Sequence, residues 1–195
     1  MDQGDETVVD STMTVVHQVC GRADAGAEVL DGSLVGRWLS HRNEVSALEA
    51  LISKGYVLDT MESAAPWSRL DDIYRAGVDA LLRVDGAMAA SAHQSHAYSD
   101  GACLYFTFAG KPADEGDRDR LYQAFWDAGQ KAVLDNGGAL SHHHGVGLNR
   151  SRFLADALGA GFGVLQSVKD ALDPNGILNP GKLGLRSPFG EVRYP

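Results

Sequence analysis

The chain has 195 residues, 44% of them hydrophobic, and a formal net charge of -9. That is enough apolar material for one compact domain with a terminal extension, so a wholly disordered chain is excluded, and the acidic balance argues against nucleic-acid binding through a basic face. No apolar run is long enough to span a bilayer and the N-terminus lacks a signal-peptide layout, which makes a cytoplasmic protein the expectation.

The apolar positions Val8, Val9, Met13, Val15, Val16 and Val19 predict a helix over 7–20, with Gly21 at its C-terminal cap. Residues 21–36 are small, acidic and Gly-rich and read as a loop leading into Arg37-Trp38-Leu39. Asn43 can cap a second helix carrying Val45, Leu48, Leu51 and Ile52 at helical spacing and ending at Gly55. A strand over 56–61 follows, then a turn at Ala64-Ala65-Pro66-Trp67. Ser68 and Asp71 have the spacing of an N-terminal cap for a helix that lines up Leu70, Ile73, Tyr74, Leu81 and Leu82. Strands over 87–96 and 102–109 are joined by a turn whose glycine, Gly101, supplies the tight geometry of a hairpin. An amphipathic helix over 114–136 stops at Gly137-Gly138, and Ala139-Leu140-Ser141 reads as a short fourth strand.

From Tyr56 onward the order is strand, helix, strand, strand, helix, strand. This predicts an α+β fold, a ferredoxin-like antiparallel sheet in split βαβ order with its helices on one face, plus a C-terminal helical extension. The expected division is an N-terminal helix and linker over 1–40, a ferredoxin-like cap or substrate domain over 41–147, and a C-terminal helix and tail over 148–195. The other sheet face is left free to cover something.

Strand alternation makes that free face informative. Leu104, Phe106 and Phe108 point one way, into the core; Cys103, Tyr105 and Thr107 point the other. Tyr105 then lies beside a strand that carries His93, Ser95 and His96, and a phenol among histidines can serve as an acid or base. The plainer alternative is a half-buried strand tyrosine with its hydroxyl at the rim. Cys20 and Cys103 are far apart in different kinds of segment, so neither a disulfide framework nor a zinc motif is expected; both read as core thiols and no metal site is expected.

The stretch with the most chemistry is Ser141-His142-His143-His144-Gly145-Val146-Gly147. Three adjacent imidazoles carry six ring nitrogens that need partners and titrate near neutral pH, which is costly to bury without a purpose. The alternative is a solvated His-rich loop. Beyond it, Arg150 and Arg152 precede a single helix over 153–172, whose Gly159-Ala160-Gly161-Phe162-Gly163 run follows no strand and so reads as close helix packing in preference to a nucleotide loop.

Together Asp59-Thr60-Met61-Glu62 with Pro66-Trp67, Tyr98-x-x-Gly101-x-Cys103-Leu104-Tyr105-Phe106, Asn136-Gly137-Gly138, the His run and Asp173-Pro174-Asn175 resemble the C-terminal part of the FAD-linked oxidases of the vanillyl-alcohol oxidase type. Within them the ether-lipid subgroup, alkylglycerone-phosphate synthase, is the most similar. The resemblance implies a cap domain that folds over FAD held by a separate N-terminal domain, in cis or in trans, so the chain is expected to be part of a larger flavoenzyme. It implies a small-molecule or lipid-like substrate, exchange of an acyl for an alkyl group on acyl-dihydroxyacetone phosphate, and acid/base work by Tyr105 with His142, His143 and His144. It also implies substrate binding by Arg150 and a cofactor contact from Asn179. A homodimer and peripheral membrane contact through the substrate are compatible with it; nucleic acid is not expected.

The sequence departs from this pattern in the helix before the Asp-Thr-x-Glu strand, where Ser46 to Leu51 lack the arginine expected to bind the substrate phosphate. Arg42, Arg69 and Arg150 are the candidates to replace it. Two competing expectations remain: an FAD-dependent 2-hydroxy acid dehydrogenase or oxidase, and a fragment without activity.

Overall fold

A computed structural model describes residues 4–42, 44 and 46–190. They form two units, 1–45 and 46–195. The first contains α1 (Glu6–Cys20) and α2 (Ser33–His41). The Asp5 side chain caps α1 by accepting from Thr7 N at 3.0 Å. Cys20, expected in a core, is exposed, because none of α1's apolar positions is buried. The loop expected over 21–36 ends early: α2 takes up Ser33 to Gly36, its start fixed by Asp31, whose carboxylate accepts from Ser33 N at 2.7 Å. The expected cap Asn43 and the apolar position Val45 lie outside the described residues.

The second unit runs α3 (Ser46–Ile52), β1 (Val57–Pro66), α4 (Trp67–Leu82), β2 (Ala87–Ala97), β3 (Gly101–Gly110), α5 (Arg118–Asp135), α6 (Leu154–Leu158) and α7 (Ala160–Leu172). The sheet has the order β1-β3-β2, and β3 pairs antiparallel with both neighbours. This is the split βαβ arrangement, with β3 inserted between the two strands that α4 connects. The expected fourth strand over 139–141 is not formed. The segment lies in its place at the β1 edge, held by Ala139 N donating to Ala64 O at 2.8 Å and Ser63 Oγ donating to Ala139 O at 2.7 Å, but it leaves the edge there instead of continuing the ladder.

The helices cover one face. Leu104, Phe106 and Phe108 of β3 and Met61 of β1 meet Leu70, Ile73 and Leu81 of α4 and Leu121, Phe125, Trp126 and Val133 of α5 in one core. The four α4 positions that are buried, Leu70, Ile73, Gly77 and Leu81, fall on one helical stripe. Gly77 lets that stripe sit close to the sheet, since a Cβ there would come 2.6 Å from Phe106 Cε1.

Several boundaries differ from the sequence expectation for physical reasons. β1 continues through Ala64, Ala65 and Pro66, because these pair with Cys103, Ala102 and Gly101; the expected turn there does not form. Helix α4 then starts at once, capped by Pro66 and not by Ser68. Gly101 is needed for space and not for a turn conformation, as a Cβ there would collide with the backbone oxygen of Ala65. The single helix expected over 153–172 is broken at Gly159, whose φ of 51° and ψ of −126° suit a residue without a Cβ. The close packing expected of the following glycines is not found: a Cβ at Gly163 would meet nothing within 4 Å. Among the described residues, no helix is long and apolar enough to cross a membrane.

Candidate functional site

The open sheet face carries the site. Cross-strand register places Glu62 of β1, Tyr105 of β3 and His93 of β2 in one row, and the rings of His93 and Tyr105 lie 5.3 Å apart. Beyond Gln94 the pairing slips, so that both Ser95 and His96 stand against Cys103 before Ala97 regains its partner Ala102. Such a bulge re-aims a side chain. It brings the His96 ring within 5.2 Å of His142 and 5.3 Å of His143.

The His run approaches from the β1 edge and is tied down by Glu62. This carboxylate is fully buried. Oε1 accepts from Ser141 Oγ at 2.7 Å and His144 N at 2.7 Å, and Oε2 accepts from His142 N at 2.8 Å. Burial alone would push the Glu62 carboxyl upward. The N–H groups of His142 and His144, the Ser141 hydroxyl and the nearby Arg150 charge outweigh it and hold the group below the usual carboxylate range. Glu62 is thus ionised and organises the loop, a role the sequence reading did not give it. The available signal was its two-residue alternation with Thr60 and Ala64 along β1.

The rings then gather over Tyr105. Its phenol lies 6.3 Å from His143 and 5.6 Å from His144, centroid to centroid, and its hydroxyl accepts from Thr60 Oγ1 at 3.1 Å. Tyr98, at the end of β2, reaches His142 Nε2 at 2.9 Å. His142 Nδ1 and His143 Nδ1 face one another at 2.9 Å, so in the neutral state one of them donates. His143 and His144 are exposed, His142 is half-buried, and Tyr105 is half-buried with its ring among them. The four expected acid/base candidates are therefore brought together on one accessible face.

Arg150 and Asn179 are placed differently. Arg150, expected to face the substrate, is 6% exposed. It donates from Nη1 to Gly145 O at 3.0 Å, lies 3.6 Å from Glu62 Oε1 through Nη2, and stacks 4.9 Å above the Trp126 ring. Burial lowers its pKa against the opposing pull of Glu62 and Asp59. Its position at the sheet edge lets it join the loop above the open face to the helix side below. There Asp59 accepts from Tyr122 Oη at 2.9 Å and Trp126 Nε1 at 3.1 Å. Burial and the Asp59 charge push the Tyr122 phenol up to about 12. Asn179 is exposed at a left-handed φ of 47°, beyond a knot in which Asp173 accepts from Lys169 Nζ at 2.5 Å and from the N–H groups of Ile177 and Leu178. That knot fixes the segment before Asn179.

A planar cofactor fits this face on its reacting side: the Tyr105 hydroxyl and the exposed His143 and His144 rings offer donors to whatever is laid against them. The described residues of this unit show no strand leading through a glycine-rich loop into a helix, the usual cradle for a dinucleotide's phosphates, since β1 enters α4 directly at Pro66.

The family described as FAD linked oxidases, C-terminal domain, matches residues 1–183. An alkyldihydroxyacetonephosphate synthase of Trypanosoma brucei brucei is 39% identical over 104 residues, 53% of this chain and 17% of its own length. One from Dictyostelium discoideum is 29% identical over 192 residues, 93% of this chain and 30% of its own length. A solved structure of an alkyldihydroxyacetonephosphate synthase superposes with a TM-score of 0.56 at 20% identity, covering 90% of this chain and 28% of that one. This likeness concerns the fold. The chain thus spans less than a third of the length of each of these relatives.

Proposed function

The chain belongs to the FAD-linked oxidases as their C-terminal domain, a family whose cofactor is FAD, and on that premise we propose that it is the substrate-side part of a flavoenzyme of the alkyldihydroxyacetonephosphate synthase type. In that reading it serves exchange of an acyl group for a long-chain alkyl group on a dihydroxyacetone phosphate ester. The flavin-binding part lies in the same polypeptide or in a partner. Similarity to the two synthases supports the substrate class.

The observation that carries the reading is the convergence of Tyr105, His142, His143 and His144 over one open face, with their loop fixed by a buried, ionised Glu62. Bound FAD supplies a planar, electron-accepting ring system. The chain's own residues do the rest: Tyr105 Oη exchanges a proton with the reacting carbon or oxygen, and His143 and His144 polarise substrate oxygens and receive or return protons. Arg150 works from below, holding the loop through Gly145 and Glu62. Asn179 is the contact proposed on the cofactor side.

The test is reconstitution of the chain with a flavin-binding domain, followed by transfer of a labelled long-chain alcohol onto the acylated substrate. Tyr105→Phe is expected to lower turnover by about 10²–10⁴-fold, the usual worth of a positioned acid/base, while FAD binding, read by flavin fluorescence, persists. Unchanged turnover in this variant refutes the role of Tyr105.

A further inference from the structure

We propose that Tyr98 is a positioning residue for the acid/base histidines: it fixes the tautomer of His142 and forms the solvent end of a proton relay running through His142 to His143. The inference rests on the acid/base reading of these histidines given above and adds the group that sets which of their nitrogens carries the proton.

Geometry lays the path. Tyr98 Oη lies 2.9 Å from His142 Nε2, and His142 Nδ1 lies 2.9 Å from His143 Nδ1. Both are hydrogen-bond distances, so two contacts connect a phenol to His143, which is exposed beside Tyr105. The outer end is open to water: Tyr98 is 51% exposed, whereas His142 in the middle is half-buried. The backbone of Tyr98 is clamped on both sides. Its N–H donates to Gly101 O at 2.8 Å, closing the hairpin, and its carbonyl accepts from Trp67 Nε1 at 3.1 Å.

A neutral imidazole has one N–H and one acceptor nitrogen, and the hydrogen bond at one nitrogen decides the state of the other. Tyr98 donates to His142 Nε2. His142 then carries its proton on Nδ1 and donates it to His143 Nδ1, which leaves the proton of His143 on Nε2. When His143 Nε2 gives that proton to the substrate, the Nδ1 proton of His142 passes to His143, the phenolic proton of Tyr98 passes to His142, and water returns one to Tyr98. One proton moves from solvent to substrate and every ring ends neutral. The tautomers are then reversed, so His143 Nε2 is a base that takes a proton back by the same steps in the opposite order. Neighbouring groups leave this arrangement intact. Glu62 binds the backbone N–H of His142 and not its ring. The Cys103 thiol, within 4.8 Å of ring nitrogens of His96, His142 and His143, is kept neutral by burial and the Glu62 charge. His96, whose ring is 5.2 Å from that of His142, has its Nδ1 paired with Ser95 Oγ at 2.9 Å.

Tyr98→Phe keeps the ring and both backbone contacts and deletes only Oη. Nitrogen-15 NMR of the chain at about pH 8, where unperturbed histidines are neutral, reads the tautomers without any reaction. His142 is expected to show a bare Nε2 and a protonated Nδ1, and His143 the reverse; in Tyr98→Phe, His142 Nε2 gains protonated character. In the reconstituted enzyme, kcat for alkyl transfer falls at unchanged KM, by less than the roughly 10²–10⁴-fold worth of the acid/base itself. Turnover of the variant rises with buffer concentration, to which the unaltered enzyme is indifferent. A His142 Nε2 that is protonated in the unaltered chain, ring signals that Tyr98→Phe does not move, or a variant without buffer dependence overturns the proposal. Failure of the underlying acid/base reading shows differently, as unchanged turnover in Tyr105→Phe with the nitrogen signals as expected.

Discussion

Replacing Glu62 with glutamine tests the central claim about the site at almost constant volume. The amide oxygen can take the Oε1 position and keep Ser141 Oγ and His144 N as donors. Its NH₂ group then faces the N–H of His142 across the 2.8 Å now spanned by a hydrogen bond. One charge-assisted bond is lost, worth about 1.5–3 kcal/mol. Arg150, 6% exposed, also loses the carboxylate 3.6 Å away, and breaking a buried pair from one side costs about 3–5 kcal/mol. The two losses share one group and do not add, so the expected destabilisation is about 3–5 kcal/mol. Urea unfolding followed by tryptophan fluorescence reads it as a lower midpoint at unchanged slope. The pH dependence has a definite sign. Because the folded carboxyl is held below its ordinary value of 4.5, its contribution is fully present above that pH and lost as pH falls below it. Glu62→Gln should flatten that acid limb. A loss under about 1 kcal/mol, the worth of one ordinary hydrogen bond, with an unaltered acid limb would refute the reasoning.

Gly77→Ala is expected to destabilise by about 1–3 kcal/mol through overpacking, since the new Cβ meets Phe106 at 2.6 Å. Gly163→Ala in α7, with open space around it, should stabilise by up to about 1 kcal/mol; thermal melts of the pair check both signs. Gly159→Ala should cost about 1–3 kcal/mol in the same assay, because a side chain disfavours φ 51° and ψ −126°. Asp59→Asn removes the charge against the Tyr122 hydroxyl, so the phenol at about 12 should titrate lower, though burial keeps it raised; ultraviolet titration of tyrosinate reads the change.

The sequence by itself determined the sheet and the face that matters. Alternation along Cys103 to Phe108 separated core from open face because a strand's side chains alternate whatever surrounds them, and the structure has Phe106 and Phe108 buried and Tyr105 opposite His93. The His run was legible because adjacent imidazoles have few packing uses. Apolar spacing recovered α4 and α5 approximately, but the single helix expected over 153–172 breaks at Gly159, and β1 extends to Pro66 only because β3 is there to pair with it.

Only the tertiary structure decided how these residues meet. Glu62 lies 79–82 positions from the groups it binds, and no local pattern links a strand carboxylate to a loop that far away. Arg150 is expected from the sequence to bind substrate, yet folding turns it inward, because the sheet edge gives it Glu62 on one side and Trp126 on the other. His96 should by alternation oppose His93; a single bulge reverses that and brings it to Cys103. A one-residue slip in pairing flips a side chain to the other face, and the energy that selects the slip comes from the neighbouring strand, which the local sequence of β2 does not contain.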